Sequence, residues 1–164
     1  MRPLDETLIR ASFINASKRE RAAATMPADL ADLDWDAHDY LGWRDAKLPN
    51  VSYVVAWVDD RPVGLHLRRT DARPRNRAQC SWCADIHLPN DVVFYATKRA
   101  GAAGRRGDTI GTLICEHFEC STNVRKLPPS AYLGFDREAA RSSRIEALRD
   151  NVDRFFRDAR EDRP

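Results

Sequence analysis

Four cysteines form two closely spaced pairs, and they are the residues of this sequence best suited to metal chemistry. Cys80 and Cys83 are separated by two residues, and Cys115 and Cys120 by four. A tetrahedral Zn²⁺ site commonly takes two thiolates from each of two short segments that the chain folds together. With sulfur in all four positions, no place remains for a catalytic water. The spacing therefore predicts one structural zinc ion bound by these four residues.

Other ligand sets are also compatible with the sequence. The cysteines could be unrelated buried thiols, or Cys80 and Cys83 a redox pair, although no βαβ pattern surrounds them. A catalytic zinc with three protein ligands would use a histidine in place of one cysteine, and the candidates are His117, His87 and His66. A histidine in any of these positions is more often a surface or supporting group than a ligand.

Length and composition indicate one domain, residues 1–164, with enough apolar material for a hydrophobic core, since 43% of the residues are hydrophobic. The sequence has no apolar run long enough to span a membrane, and its first residues lack the apolar core of a signal peptide. We therefore expect a soluble, cytoplasmic protein with no membrane partner. Disulfides are rare in that compartment, which again favours metal binding by the cysteines.

Charge is unevenly distributed although the formal net charge is only +2. Residues 25–60 carry eight acids against two bases, whereas residues 61–127 carry twelve Lys and Arg against six acids. The second region could bind an anionic partner such as RNA or the ribosome. No aromatic residues are obviously interleaved with its main cations to form a stacking surface. These cations are Arg68, Arg69, Arg73, Arg75, Arg77, Lys98 and Arg99.

The first half of the chain changes from a helical to a strand pattern. Residues 4–24 have the apolar periodicity of one helix, and Pro27 lies just beyond its end. The acidic segment 29–45 also contains aromatic residues that can anchor it, so we expect short helical turns packed by those rings. Residues 51–58 and 63–69 predict an antiparallel hairpin around a turn at 59–62. Residues 1–50 are thus a helical and acidic lead-in to a sheet.

The second half predicts two more strands, at 92–97 and 109–115. The loop 101–108 between them is rich in glycine, but it lacks the Gly-Lys-Ser/Thr ending of a P-loop and precedes a strand. A short helix is expected over 120–126, and a longer one over 136–160 with Asp136 as its N-cap. An apolar stripe on the long helix should pack against the core: Ile145, Leu148, Val152, Phe155 and Phe156. The overall prediction is an α+β fold, with an antiparallel sheet and the zinc site in 51–127 and helices at both ends.

The cysteine-bearing segments resemble a known family. Residues 107–115, Gly-Asp-Thr-Ile-Gly-Thr-Leu-Ile-Cys, followed by Cys120 and preceded by Cys80-x-x-Cys83, are similar to the treble-clef zinc-finger domain of bacterial elongation factor G-binding proteins. That group includes fusidic acid resistance proteins. Residues 8–15 and 39–45 are also similar to it, so the resemblance covers about residues 5–127. It implies a treble-clef-like Cys₄ zinc finger whose ligands are these four cysteines.

The resemblance also implies a function, which is to bind elongation factor G and change its interaction with the ribosome, in resistance members by freeing ribosomes stalled by fusidic acid. Trp and Arg dominate interface energies, so Trp82, Arg105, Arg106 and Arg125 are the candidate contacts. Resistance members have a separate N-terminal helical bundle, which favours binding over drug resistance as the expectation here. The alternative is an RNA- or ribosome-binding zinc module.

Catalysis is the least supported function. The sequence contains no HExxH helix, no Ser/His/Asp signature and no deaminase-type His-x-Glu followed by Pro-Cys-x-x-Cys. The acids of residues 29–60 are numerous, but in an aromatic-anchored segment they are usually solvated. We therefore expect no catalytic residues and no small-molecule substrate.

Overall fold

A five-stranded antiparallel sheet in the order β1-β2-β3-β4-β5 organises the computed structural model, which describes residues 1–70, 78–85 and 91–160. The strands are β1 Leu41–Arg44, β2 Val51–Val58, β3 Arg61–Arg69, β4 Val92–Lys98 and β5 Thr109–Cys115. The helices are α1 Glu6–Ser12, α2 Lys18–Ala23, α3 Gly101–Arg106, α4 Cys120–Arg125 and α5 Arg137–Arg160, with 3₁₀ turns at Leu30–Asp32 and Trp35–Ala37. The predicted α+β class is confirmed.

The central hairpin is set by a two-residue turn. β2 and β3 are paired along their length from Val51–Arg68 to Val58–Arg61, and only Asp59 and Asp60 lie between them. Both aspartates have positive φ, 49° and 59°, which is the backbone of a type I′ turn whose twist matches the strands. The predicted hairpin is confirmed, with a turn two residues shorter than expected.

The long C-terminal helix covers one face of the sheet. α5 buries the predicted stripe against β2, β3 and the cysteine-bearing segments, and Asp136 accepts hydrogen bonds from the N–H groups of Glu138 and Ala139 at 3.0 and 2.9 Å. The apolar residues of α5 in this core are Leu148, Val152, Phe155, Phe156 and Ala159, with Ile145 packed at its edge. Both the N-cap and the core role of the stripe are therefore as predicted.

The N-terminal segment covers the other face, but only over β1 to β3. Ile9 and Phe13 pack with rings from β1 and β2 in a second apolar cluster, in which Phe13 lies 5.5 Å from Tyr53 between ring centroids. The Asn15 side chain fixes the end of this N-terminal segment to the sheet. Its amide bonds both the N–H and the C=O of His66 and donates to Thr97 Oγ1 at 2.5 Å, so it joins β3 to β4.

The single helix predicted over 4–24 is wrong. The chain leaves α1 at Phe13 and forms a bridge to Gly64 of β3, with the Ile14 N–H donating to the Gly64 carbonyl at 3.0 Å. α2 then begins at a capping box made by Ser17 and Glu20. A Cβ at position 64 would lie 2.5 Å from Ser12 Oγ, so this close approach depends on glycine.

Two further local predictions need correction. Residues 41–44 form β1, an edge strand paired with β2, where only helical turns were expected; the expected turns do occur just before it. The glycine-rich loop contains α3, which ends at Gly107 in the left-handed conformation, φ 99°. Residues 41–44 form a strand because they pair with β2. The loop contains a helix that ends at a local C-cap, Gly107.

Within the residues that the structure describes, no helix is long and apolar enough to cross a membrane.

Candidate metal centre

The first cysteine pair lies on a turn docked against the end of β5. The Ser81 N–H donates to the Leu113 carbonyl at 2.7 Å, and the Ala84 N–H donates to the Cys80 carbonyl at 2.9 Å. Ala84 has a positive φ of 54°, which closes the turn. The Cys83 N–H points at Cys80 Sγ, 3.5 Å away, so a backbone donor is available to the sulfur.

The second pair joins a strand to a helix. Cys115 is the last residue of β5, and Cys120 is the first of α4. Between them the Phe118 N–H donates to the Cys115 carbonyl at 3.1 Å, and Phe118 itself has φ 62°. Asn123 on α4 places its side-chain amide 3.6 Å from Cys115 Sγ. The prediction that Cys115 lies at the end of a strand and Cys120 at the start of the following helix is confirmed.

The four sulfur atoms converge at one buried point, and their side-chain ligand atoms all lie within 4.8 Å of one another. Cys80 Sγ is 3.6 Å from Cys120 Sγ, and Cys83 Sγ is 3.7 Å from Cys115 Sγ. A regular tetrahedron with Zn–S bonds of about 2.3 Å has S···S edges of about 3.8 Å. The residues therefore fit one zinc ion held by four thiolates.

The pKa values of the clustered thiols also indicate that the site requires a cation. Hydrogen bonds from Cys115 and the other two thiols hold the pKa of Cys80 well below its usual range, while the sulfur of Cys115 and its neighbours raise the pKa of Cys120 well above it. Four thiols this close cannot all ionise alone because their charges repel. A divalent ion at the centre removes that conflict, since zinc binds the deprotonated form of each.

Histidine is not part of this cluster in the residues that the structure describes. His117 lies between the second pair in sequence, but it is exposed, and its backbone N–H donates to Glu119 Oε2. His66 lies on the other face of the sheet, stacked on Tyr53 with ring centroids 5.4 Å apart. His87 lies outside the described residues. The described ligand set is thus all sulfur, which leaves no position for a catalytic water.

Trp82 is buried beside the cysteines, with 2% of its surface exposed. Its ring packs edge-on against Tyr40 at 4.8 Å and against Phe155 of α5 at 5.6 Å, and its carbonyl accepts from Asn151 at 3.1 Å. The prediction that Trp82 contacts a partner does not fit this position. Its contacts with Phe155 and Asn151 connect α5 to the first cysteine pair.

The three predicted arginines differ in their surroundings. Arg105 and Arg106 are exposed at the end of α3, with Arg106 3.6 Å from the Asp108 carboxylate. Arg125 instead donates to the Asp39 carboxylate at 2.5 Å and is mostly covered. Arg105 and Arg106 stay candidate contacts, whereas Arg125 already has an internal partner.

Two buried carboxylates near the zinc site have structural roles that sequence reasoning missed. The Asp39 side chain has no exposed surface and is bonded by Arg125 of α4 and Arg149 of α5. Glu116, between the second cysteine pair, is bonded by Arg44 at 3.4 Å and by Arg69. The ion pairs of Glu116 connect β1 and β3 to the zinc loop, residues 116–119 between the second pair of cysteines. The sequence signal for Glu116 was its place directly after a ligand, and for Asp39 there was none.

A zinc knuckle, a β-hairpin and a helix that carries the last ligand together define a treble-clef zinc-binding domain. One zinc ion on a Cys₄ site is what this class of protein holds. The chain belongs to the family described as FBP C-terminal treble-clef zinc-finger, whose model matches residues 8–159. The match includes α5, so it extends beyond the resemblance noted in the sequence.

Among solved structures, the chain is similar to the one titled "Structure of the fusidic acid resistance protein FusC", with 22% sequence identity and a TM-score of 0.47. The similar region covers 62% of this chain and 46% of that one, so the chain spans about half the length of that relative. No curated protein matches the sequence. At this identity, the likeness to FusC carries no argument about function.

Proposed function

We propose that this protein binds elongation factor G and thereby changes how the factor interacts with the ribosome. Two things support the proposal: membership of the treble-clef family, and the resemblance of residues 107–120 to the elongation factor G-binding proteins. The buried cysteines themselves make no contact with a partner in this proposal. Zinc holds a rigid platform, and exposed groups next to it bind.

The observation that carries the proposal is an exposed apolar segment, residues 127–135, directly after the zinc-bearing helix α4. Leu133 is fully exposed, Tyr132 is 66% exposed, and Leu127 is exposed as well. Isolated apolar residues are common on protein surfaces, but three exposed ones within seven residues of the chain are a local concentration that is typical of a binding segment. A Tyr that packs into a partner can contribute strongly to binding, and each leucine that becomes buried adds apolar contact area.

This segment is held in one shape by its own contacts. Arg137 Nε donates to the Pro128 carbonyl at 2.7 Å, and the Phe135 N–H donates to the Tyr132 carbonyl at 3.2 Å. The rings of Tyr132 and Phe135 pack edge-on with centroids 5.3 Å apart. A loop that is already ordered loses less conformational entropy on binding, so more of its contact energy appears as affinity.

The link between the segment and the zinc site is Arg144 of α5. Its guanidinium donates to the carbonyl of Lys126 at 3.1 Å and to that of Asn123 at 3.2 Å, and it pairs with Asp85 after the first cysteine pair at 2.7 Å. The start of the apolar segment is therefore fixed to both halves of the zinc site. We infer that loss of zinc would also loosen the binding surface.

The test is a calorimetric titration of the zinc-loaded chain with elongation factor G, at low and high salt. We expect saturable one-to-one binding that survives high salt, because the central contacts are apolar. Leu133→Ser and Tyr132→Ala should each weaken binding about tenfold, equal to about 1.4 kcal/mol. An Arg105→Ala and Arg106→Ala double variant tests the remaining predicted contacts.

Leu48→Ser is the matched control, because Leu48 is also an exposed leucine but lies in the loop between β1 and β2. It should bind like the unmodified chain. Absence of binding at both salt concentrations would refute the proposed function. If the Leu133 and Tyr132 variants bind as strongly as the unmodified chain, elongation factor G remains the partner but residues 127–135 are not the binding surface.

Protection of translation from fusidic acid is the finer part of the proposal. It is tested in a cell-free translation reaction inhibited by the drug, to which the chain is added in increasing amounts. Recovery of synthesis by the unmodified chain, with less recovery by Leu133→Ser, is the expected result. Binding without recovery would mean that the protein acts on the factor in another way.

A further inference from the structure

Half of one sheet face is uncovered in the described residues. The N-terminal cover packs on β1 to β3, and the cluster it forms includes no residue of β4 or β5. Side chains alternate along a strand, so one set from these two strands faces outward on that side. The outward set is Phe94, Ala96 and Lys98 of β4 and Thr109, Gly111 and Leu113 of β5.

Phe94 lies against the neighbouring strand, over Gly111. A Cβ built at position 111 would lie 2.1 Å from Phe94 Cζ and less than 3 Å from both Cε atoms, so only glycine leaves room for the ring there. The atoms nearest Gly111 are Cζ and the two Cε atoms, so the outer end of the ring contacts β5. The side chain is still 38% exposed. An exposed aromatic ring on a sheet is the group on which single-strand binding proteins stack a nucleobase.

Two cations lie on the same face of the sheet, toward the C-terminal end of β4. Arg68 is directly opposite Ala96 in the β3–β4 register, and Lys98 lies four residues along β4 from Phe94, a distance of about 13 Å on a strand. Both Arg68 and Lys98 are exposed. The sequence pattern had shown no aromatic residue among these cations, and the pairing of β3, β4 and β5 is what places Phe94 on the same face of the sheet as Arg68 and Lys98.

A cavity of about 170 Å³ adjoins the cations at the edge of the N-terminal cover. It is lined by Asn15, Glu20, His66, Arg68, Ala96, Thr97, Lys98 and Thr109. The Glu20 carboxylate is the acid among these residues, and it lies 3.9 Å from His66 Nδ1. The lining therefore combines donors for phosphate oxygens with polar groups that can bond a base edge.

We infer that this uncovered face, made by Arg68, Phe94, Lys98 and Gly111, binds single-stranded RNA. One base stacks on the exposed ring of Phe94, and the phosphates that follow it toward the C-terminal end of β4 pair with Arg68 and Lys98. A paired duplex does not fit this face because its bases are stacked on each other and cannot reach the ring. This activity goes beyond the proposed binding to elongation factor G, since none of these four residues is among the contacts proposed for that partner.

The experiment measures fluorescence anisotropy of a labelled oligouridine of about 12 nucleotides, a length within the range of known single-strand binding sheets. The zinc-loaded full chain is titrated at several salt concentrations starting at about 50 mM. Phe94→Leu keeps an apolar side chain over Gly111 but removes the aromatic surface, and should weaken binding about tenfold with an unchanged salt slope. Arg68→Gln and Lys98→Gln should each lower the slope by about 0.7.

Matched controls are Arg154→Gln on α5 and Lys126→Gln after α4, which change the same residue types away from this face. Both should bind like the unmodified chain. A duplex of the same length should compete at least tenfold more weakly than the single strand. Circular dichroism and zinc content are checked for every variant, and 4-thiouridine crosslinking should attach RNA to the β3–β5 peptides.

Four binding results would each overturn the inference, as would the crosslinking result named below: no saturable binding at the lowest salt, equal affinity of Phe94→Leu, equal losses in the control variants, or equal competition by the duplex. If Phe94→Leu does not fold, the salt slopes of the Arg68 and Lys98 variants and the crosslinked peptide still decide the matter. Crosslinks confined to peptides outside β3–β5 would reject this face.

Discussion

Single buried charges connect the acidic N-terminal third of this protein to its zinc-bearing part. Asp39 is bonded by arginines of α4 and α5, and Glu116 by arginines of β1 and β3. Removing one partner of such a pair leaves a buried charge unpaired, which costs several kcal/mol, about 3–5 in measured cases. These pairs therefore specify how the segments dock, whatever their net contribution to stability.

Asp45 provides a pH-dependent prediction at the residue scale. Burial would raise its pKa, but hydrogen bonds from the Lys47 and Leu48 N–H groups, the Tyr53 hydroxyl and Thr25 outweigh it and lower the pKa to about 2. An unfolded Asp has a pKa near 3.9, so the unfolded chain binds more protons between these values. The stabilisation is complete above about pH 4 and is lost as the pH falls toward 2.

We expect Asp45→Asn to lower the free energy of unfolding by about 2 kcal/mol at pH 7. The gap between variant and unmodified chain should shrink as the pH falls below about 4, because the carboxylate of the unfolded chain is then protonated while that of the folded chain is still ionised, which favours unfolding of the unmodified chain. Urea denaturation of both proteins from pH 7 to pH 3 measures this gap, and other acid-sensitive groups cancel in the comparison. A gap independent of pH would contradict the assignment.

At the scale of elements, β1 meets the zinc loop at a position where a side chain does not fit. A Cβ at Gly42 would lie 2.6 Å from Phe118 Cγ. Phe118 cannot move away easily because its carbonyl accepts from the buried Tyr40 hydroxyl at 3.1 Å and its ring packs on Tyr95. We expect Gly42→Ala to cost about 1–3 kcal/mol, the usual range for overpacking.

The measurement is a double-mutant cycle with Phe118→Leu, followed by chemical denaturation. The alanine should cost less when the smaller leucine replaces the ring, which gives a coupling energy of at least about 0.5 kcal/mol. Additive effects would show that the ring and the glycine do not meet. Because Phe118 lies between two ligands, weaker zinc retention by Gly42→Ala is also expected.

At the scale of the whole molecule, the two apolar clusters differ in their dependence on zinc. The cluster under α5 contains all four cysteines, while the cluster under α1 contains none. Chelation should therefore release about one zinc ion per chain and lower the Tm by about 10 °C or more, because metal binding contributes directly to folding. Hydrogen exchange should increase first in α4 and the end of β5.

The cluster under α1 should keep its protection longer, since no ligand lies in it. Zinc release is followed with a chromogenic chelator and the Tm by calorimetry, with re-addition of zinc as the control. An unchanged Tm after complete removal of the metal would mean that the cysteine cluster packs stably without it. Equal loss of protection in both clusters would mean that the sheet transmits the effect of zinc to the whole chain.

Much of this fold was predictable from local sequence. The spacing of Cys80 and Cys83 and of Cys115 and Cys120 identified the metal ligands because zinc imposes a fixed geometry on few residues. The β2–β3 hairpin and α5 followed from periodicity, since each carries its own turn or cap, at Asp59–Asp60 and at Asp136. Such features depend on neighbours in the chain, so the sequence determines them directly.

Only the tertiary structure decided features that depend on distant residues. β1 is a strand because it pairs with β2. The helix is interrupted between α1 and α2 because Phe13 forms a β-bridge with Gly64. Asp39 is 86 residues from Arg125 in sequence, and Phe94 reaches the cations of β3 only through strand pairing. The sequence by itself determined the metal and the local elements. Which groups are buried and which share a surface was decided by folding, because long-range pairing leaves no periodic signal in the chain.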